Sequence, residues 1–173
     1  MSQSLGVQTS PSITPPAGLD EIRTVFGDIF QYILPDHTLA AAWQAEFLAT
    51  AKLPFPLVLS WDHSRTVNSM TCHKLLVNTF DDVFKRIQDA GLQSNLTSFG
   101  GCFSFRPQRT GTKLSTHAWG IAIDLDPESN EQGTAGNMNM DIITIFRDAG
   151  FEWGGDWQGR LRDPMHFQFC TGY

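Results

Sequence analysis

The chain has 173 residues, 41% of them apolar, and a formal net charge of -6, which is enough for one domain with a sizeable core and too little for two ordinary ones. The acidic balance argues against a nucleic-acid surface, and no apolar run approaches the roughly 18 residues of a membrane span. Three cysteines, Cys72, Cys102 and Cys170, with no C-x-x-C among them, exclude a full disulfide framework and speak against a structural zinc knuckle. They read as small buried hydrophobes.

In chain order, residues 1–18 are rich in Ser, Thr, Pro and Gly and are predicted to form a flexible arm. They lack the basic start and apolar stretch of a secretory signal, so cytoplasmic synthesis is expected. A single domain is expected over 19–173, with a helical part at 19–95 and the chemistry-bearing motifs at 98–170. Ile22, Val25, Phe26, Ile29 and Phe30 fall at helical spacing, weakened by Gly27 and ended by Pro35. Alanine-rich Thr38 to Ala51 predicts a second helix, and Lys52 to Ser60, with two prolines, an extended or irregular segment. Thr71 to Ala90 carries the clearest helical stripe, stopped by Gly91.

Strand patterns dominate from there. Thr97 to Pro107 alternates, with Phe99, Phe103 and Phe105 on one side and Gly100, Cys102, Ser104 and Arg106 mostly on the other. Ile121 to Asp126 alternates again, Asn137 to Ala149 predicts a short helix, Phe151 to Trp157 a strand leading into a glycine turn, and Pro164 to Cys170 a last strand. Helices first and strands later predict an α+β fold, an antiparallel sheet backed by helices on one face.

The chemistry gathers in Lys113 to Pro127. His117 stands seven positions before Asp124, an odd separation that would send the two to opposite faces of one unbroken strand. A turn at Gly120 would bring them together. Asp163-Pro164-Met165-His166-Phe167-Gln168-Phe169 supplies a third donor: Phe167 and Phe169 face a core, and His166 and Gln168 the other side. Two neutral imidazoles and a carboxylate suit one Zn2+ per chain, with the fourth position open. Asp163, brought over the metal by a turn, could move protons, and Arg106 could hold a substrate carboxylate or an oxyanion. Trp119, Trp153 and Trp157 are candidate walls of a substrate groove, equally suited to a core. Ser115 could bond substrate or cap the turn. Asp126, Glu128 and Asn130 follow at two-residue spacing and could form a regulatory Ca2+ loop, although the glycine and terminal glutamate of an EF-hand are out of register.

Ser115 to Asp124 (S-T-H-A-W-G-I-A-I-D), with W-G-G-D-W at Trp153 to Trp157 and D-P-M-H-F-Q at Asp163 to Gln168, resembles the zinc peptidases that cut peptidoglycan stem peptides. These are D-alanyl-D-alanine carboxypeptidases of the vancomycin-resistance type and L-alanyl-D-glutamate endopeptidases of phage endolysins. The family pattern S-x-H-x-x-G-x-A-x-D followed by [DE]-x-x-H is met at every position. The resemblance implies zinc ligands His117, Asp124 and His166, Asp163 as base, Arg106 rather than Arg109 as the upstream arginine, and a hedgehog/D-Ala-D-Ala peptidase fold. It implies an endolysin-like endopeptidase, because the acid before the last histidine is Asp; the alternatives are a wall-remodelling carboxypeptidase or a non-catalytic zinc-containing binding domain. A monomer is expected, acting on the stem peptide of the wall after release.

Overall fold

The structure is a computed structural model and describes residues 13–109 and 112–173. Most of the predicted arm lies outside the described residues. Its last part is anchored: Thr171 donates its backbone N–H to Pro16 and Gly18 donates to Thr171, so the chain's two ends are joined.

A six-stranded mixed sheet organises the molecule in the order β2-β1-β3-β4-β6-β5, with β1 Leu48–Leu59, β2 Asp62–His73, β3 Ser98–Gly101, β4 Ala122–Leu125, β5 Glu152–Trp153 and β6 His166–Gln168. Every neighbouring pair is antiparallel except β1 with β3, which run parallel. Among the described residues four α-helices accompany it: α1 Gly18–Phe26, α2 Ala41–Phe47, α3 Val77–Asp89 and α4 Met140–Asp148. The expected α+β class is found, with the parallel pair as a departure from a purely antiparallel sheet. Among the described residues no helix is long and apolar enough to cross a membrane.

One apolar core runs along the sheet. In β1 the alternate residues Ala51, Leu53, Phe55, Leu57 and Leu59 are buried. Phe84 on α3 packs edge-on against Phe55 and against Phe146 of α4, and Phe146 stacks on Phe167 with ring centroids 4.2 Å apart. The alternation predicted for the last strand therefore holds: Phe167 and Phe169 enter the core, leaving the intervening His166 and Gln168 on the opposite side.

The N-terminal half departs most from the sequence patterns. The helix predicted over Thr38 to Ala51 stops at Phe47, because Leu48 to Lys52 pair with Ser69 to His73, and this ladder overrides alanine's helix propensity. Pro54 and Pro56 do not prevent a strand. They fall in the register gap between Lys52 and Leu57, where ladder donors are not needed. Strand β2 was not predicted, and as the outer strand of the sheet it is polar and mostly exposed, so it lacks a buried alternation to read. It also claims Thr71 to His73, so the long helix begins only at Val77. Strand β3 is shorter than expected and ends at Gly101.

The turn at Gly120 forms as the spacing requires. Gly120 adopts left-handed geometry at φ 69° and ψ 28°, closing a short 3-10 turn over Thr116–Trp119. A Cβ there would come within 2.8 Å of the His73 backbone nitrogen. Left-handed geometry costs an L-residue roughly 1–2 kcal/mol before this clash is counted. Gly120→Ala is therefore expected to destabilise by about 2 kcal/mol or more. In a chain of this size that lowers Tm by about 4–8 °C, measurable by thermal unfolding.

Candidate metal and catalytic site

Strand pairing sets the site. Asp124 of β4 lies opposite His166 of β6 in register, and the turn at Gly120 folds His117 back over the same carboxylate. Asp124 Oδ1 is 3.2 Å from His117 Nε2 and 2.9 Å from His166 Nδ1, and all three residues are buried. Their ligand atoms lie within 4.8 Å of one another, a group able to hold a metal ion. Gly100 permits the packing behind it, since a Cβ at that position would be 2.9 Å from the Asp124 Cβ.

The outer nitrogens of the two imidazoles explain how the inner ones stay available. His117 Nδ1 lies 2.7 Å from the Cys102 carbonyl oxygen, which can only accept, so Nδ1 carries the proton and Nε2 presents a lone pair. His166 Nε2 lies 3.1 Å from Gln168 Oε1, leaving Nδ1 as its inward atom. With both rings neutral, three electron-pair donors converge, an arrangement suited to a cation between them, and without a metal protons on the imidazoles supply that charge. Burial alone would raise the Asp124 carboxyl, but the charges and hydrogen bonds of His117 and His166 overcome this and hold it below the usual carboxylate range. Burial likewise disfavours charged His166, yet hydrogen bonding and attraction to Asp124 raise it above the ordinary histidine value.

Asp163 has the opposite environment. Among the described residues its Oδ1 is buried without a hydrogen-bond partner, and burial, with Asp124 adding repulsion, raises its carboxyl above the ordinary value. The turn that places it is tightly held: Asp163 donates its N–H to Gly154, His166 donates to the Asp163 carbonyl, and Trp153 Nε1 donates to the Pro164 carbonyl at 2.8 Å. A Cβ at Gly154 would be 2.5 Å from the Asp163 oxygen, so the W-G-G-D-W segment serves as a close-fitting support for this turn.

A cavity of about 530 Å³ opens over these groups. Of the predicted site residues, Arg106, Ser115, His117, Trp157, Asp163 and His166 line it. Arg106 Nη2 is 4.0 Å from Asp124 Oδ2, near enough for long-range attraction. Arg109, the less favoured arginine, also lines the cavity, with Lys113 and Tyr173. Ser115 caps the 3-10 turn, its Oγ accepting from the His117 N–H. The Trp157 ring lies 5.4 Å from that of His166.

Two of the three tryptophans stand elsewhere. Trp119 is fully buried and donates to the Gly27 carbonyl, and Trp153 is committed to Pro164, so both belong to the core side and are not among the cavity walls. The calcium loop is not supported either. Asp126 Oδ1 accepts from the Thr97 and Ser98 backbone and from the Thr97 hydroxyl. Glu128 is bonded to Ser98 and His63, and Asn130 to Asp126 and Asn137. These side chains fasten β3 to the loop after β4. All three cysteines are free and buried, with burial pushing Cys72 up to about 12 and Cys102 well up, unlike an activated thiolate. Sequence reasoning missed the Cys102 carbonyl, because a backbone acceptor leaves no trace in residue type. Around His166, Gln168 was visible only as its neighbour on one strand face, and Thr116 only as the residue before His117.

The purified protein is expected to take up one equivalent of a divalent metal by calorimetric titration, and His117→Ala to lose it. Equal uptake by both would refute the ligand set.

Known proteins match the part of the chain that carries the site. Residues 108–169 match the family model described as D-alanyl-D-alanine carboxypeptidase. Over 65 residues the chain is 32% identical to the peptidoglycan L-alanyl-D-glutamate endopeptidase CwlK of Bacillus subtilis (strain 168). That alignment covers 31% of this chain and 38% of the relative's length. Both matches fall on the segment that carries the motifs and support the family resemblance read from them.

Proposed function

We propose that the chain is a zinc-dependent peptidoglycan peptidase of the hedgehog/D-Ala-D-Ala peptidase fold, cutting the L-alanyl-D-glutamate amide of the stem peptide as endolysin-type endopeptidases do. The observation that carries this reading is the buried His117, Asp124 and His166 group beside a cavity that His117 and His166 line together with Asp163, whose Oδ1 has no hydrogen-bond partner among the described residues. A non-catalytic binder has no use for such a carboxylate beside a metal-holding group. Two neutral imidazoles and one carboxylate are the donor set that favours zinc with an open position.

Zinc held by these three residues would supply Lewis acidity toward a water molecule and a carbonyl oxygen in the cavity. Asp163, raised by burial, is suited to take a proton from the attacking water and pass it to the leaving amine as the amide C–N bond breaks. Arg106 keeps its positive charge although burial lowers its pKa, and it is placed to hold a carboxylate or developing oxyanion. Arg109 and Lys113, on the same walls, add to a cationic lining suited to an anionic stem peptide. Trp157 offers a flat apolar wall, and Ser115 keeps the His117 turn in place.

The endopeptidase reading is supported by the activity named for the Bacillus relative and by Asp, not Glu, at position 163. A D-alanyl-D-alanine carboxypeptidase is the second reading, favoured by the description of the matching family model. Digestion of purified peptidoglycan followed by mass spectrometry separates the two. New N-terminal D-glutamate or isoglutamine is expected, whereas release of free D-alanine would establish the carboxypeptidase.

Asp163→Asn should lower the hydrolysis rate by at least about 10²-fold while zinc stays bound. Undiminished hydrolysis with zinc in place would overturn the proton-transfer role. Removing the metal with a chelator should abolish activity and zinc should restore it, read in the same digestion assay.

A further inference from the structure

His117 and His166 are oriented by different means. His117 leans on a backbone carbonyl, which substitution cannot remove, whereas His166 leans on a side chain. That side chain, Gln168, is 2% exposed and lies two residues beyond His166 on the same face of β6. Its Oε1 accepts from the Thr116 hydroxyl at 3.2 Å and stands 3.1 Å from His166 Nε2, while its own Nε2 is buried without a partner.

An amide's oxygen and nitrogen ends have nearly the same shape, so the hydrogen-bond network must decide between them. Two assignments satisfy the contacts. In one, His166 carries its proton on Nε2 and donates it to Gln168 Oε1, which leaves the Nδ1 lone pair facing Asp124. In the other, the amide is turned and its NH2 donates to His166 Nε2, so the imidazole proton sits on Nδ1 and is spent on Asp124 Oδ1, 2.9 Å away. Only the first arrangement lets His166 bind a metal. The second blocks the ligand atom with a proton.

We propose that Gln168 is a positioning residue of the metal site: its Oε1, oriented by the Thr116 hydroxyl, selects the His166 tautomer whose Nδ1 is free to bind the metal. The acceptor is what matters, not the amide. Among the described residues the amide NH2 makes no hydrogen bond, and a carboxylate in the same place would accept from both His166 and Thr116 without leaving a buried donor unpaired. Partners of this kind change metal affinity by about 10–100-fold when lost.

This inference rests on the zinc reading above, and the test separates the two. Zinc dissociation constants are measured by competition with a chelator for the wild type, Gln168→Glu and Gln168→Met, the last keeping the side chain's length without an acceptor. Gln168→Met is expected to bind zinc about 10–100-fold more weakly, and Gln168→Glu to bind as tightly as the wild type or tighter. A role in packing alone predicts the reverse order, because Met suits an apolar site and a buried carboxylate does not. That reverse order, or equal affinity in all three, would overturn the proposal.

A second measurement needs no variant. In the zinc-loaded wild type, nitrogen-15 NMR should show the His166 proton on Nε2, and a proton on Nδ1 would also overturn it. Failure of the wild type to bind zinc would instead refute the functional reading and this inference with it.

Discussion

Asp124 Oδ1 faces two imidazole nitrogens at 3.2 and 2.9 Å, and the rest of the site depends on that convergence. With the outer nitrogen of each ring committed to an acceptor and the rings neutral, the inner atoms meet as three buried electron-pair donors. Such a group is unfavourable unless a positive charge lies among its members, because burial removes the solvent that would otherwise screen them. The same arrangement would keep an arriving metal's ligands from reorganising, since each is already held from behind.

The fold supplies this geometry by simple means. Antiparallel pairing of β4 with β6 places Asp124 across from His166, and the left-handed turn at Gly120 returns His117 to the same carboxylate. Behind the sheet, Phe146 against Phe167 and Phe84 against Phe146 fix the strands from their apolar face. The glycines mark the tight places. Gly100 lies against Asp124 and Gly154 against Asp163, where any side chain would meet backbone or a carboxylate stem.

The two carboxylates of the site are driven in opposite directions. Asp124 is held low by the charge and hydrogen bonds of the imidazoles that surround it, and Asp163 is raised by burial with an oxygen that has no partner among the described residues. A pair of acids separated in this way divides into a group that stays charged and a group that can exchange a proton. Arg106 stands close enough to Asp124 to feel its charge without making a short ion pair, and apart from a long Nη1 bond to the Pro107 carbonyl its guanidinium is placed to meet a ligand.

The site was legible in the sequence because its members lie on short local patterns. The odd separation of His117 and Asp124 demanded a turn, Gly120 made one, and the alternation at His166, Phe167, Gln168 and Phe169 showed which residues faced away from the core. Residues that act through distant partners were not legible. Trp119 and Trp153 carry the composition of a groove, yet their indole nitrogens are committed to Gly27 and Pro164. Strand β2, polar at the sheet edge, had no buried face to announce it, and the β1 ladder overrode the alanine-rich helix pattern. Sequence by itself determined the α+β class and the types and order of the residues in the His117, Asp124 and His166 group, because local period and turn chemistry are written in neighbouring residues. Only the tertiary structure decided that the Cys102 carbonyl and Gln168 orient the imidazoles, that β1 and β3 run parallel, and that the early hairpin joins the sheet, because each depends on contacts between residues far apart in the chain.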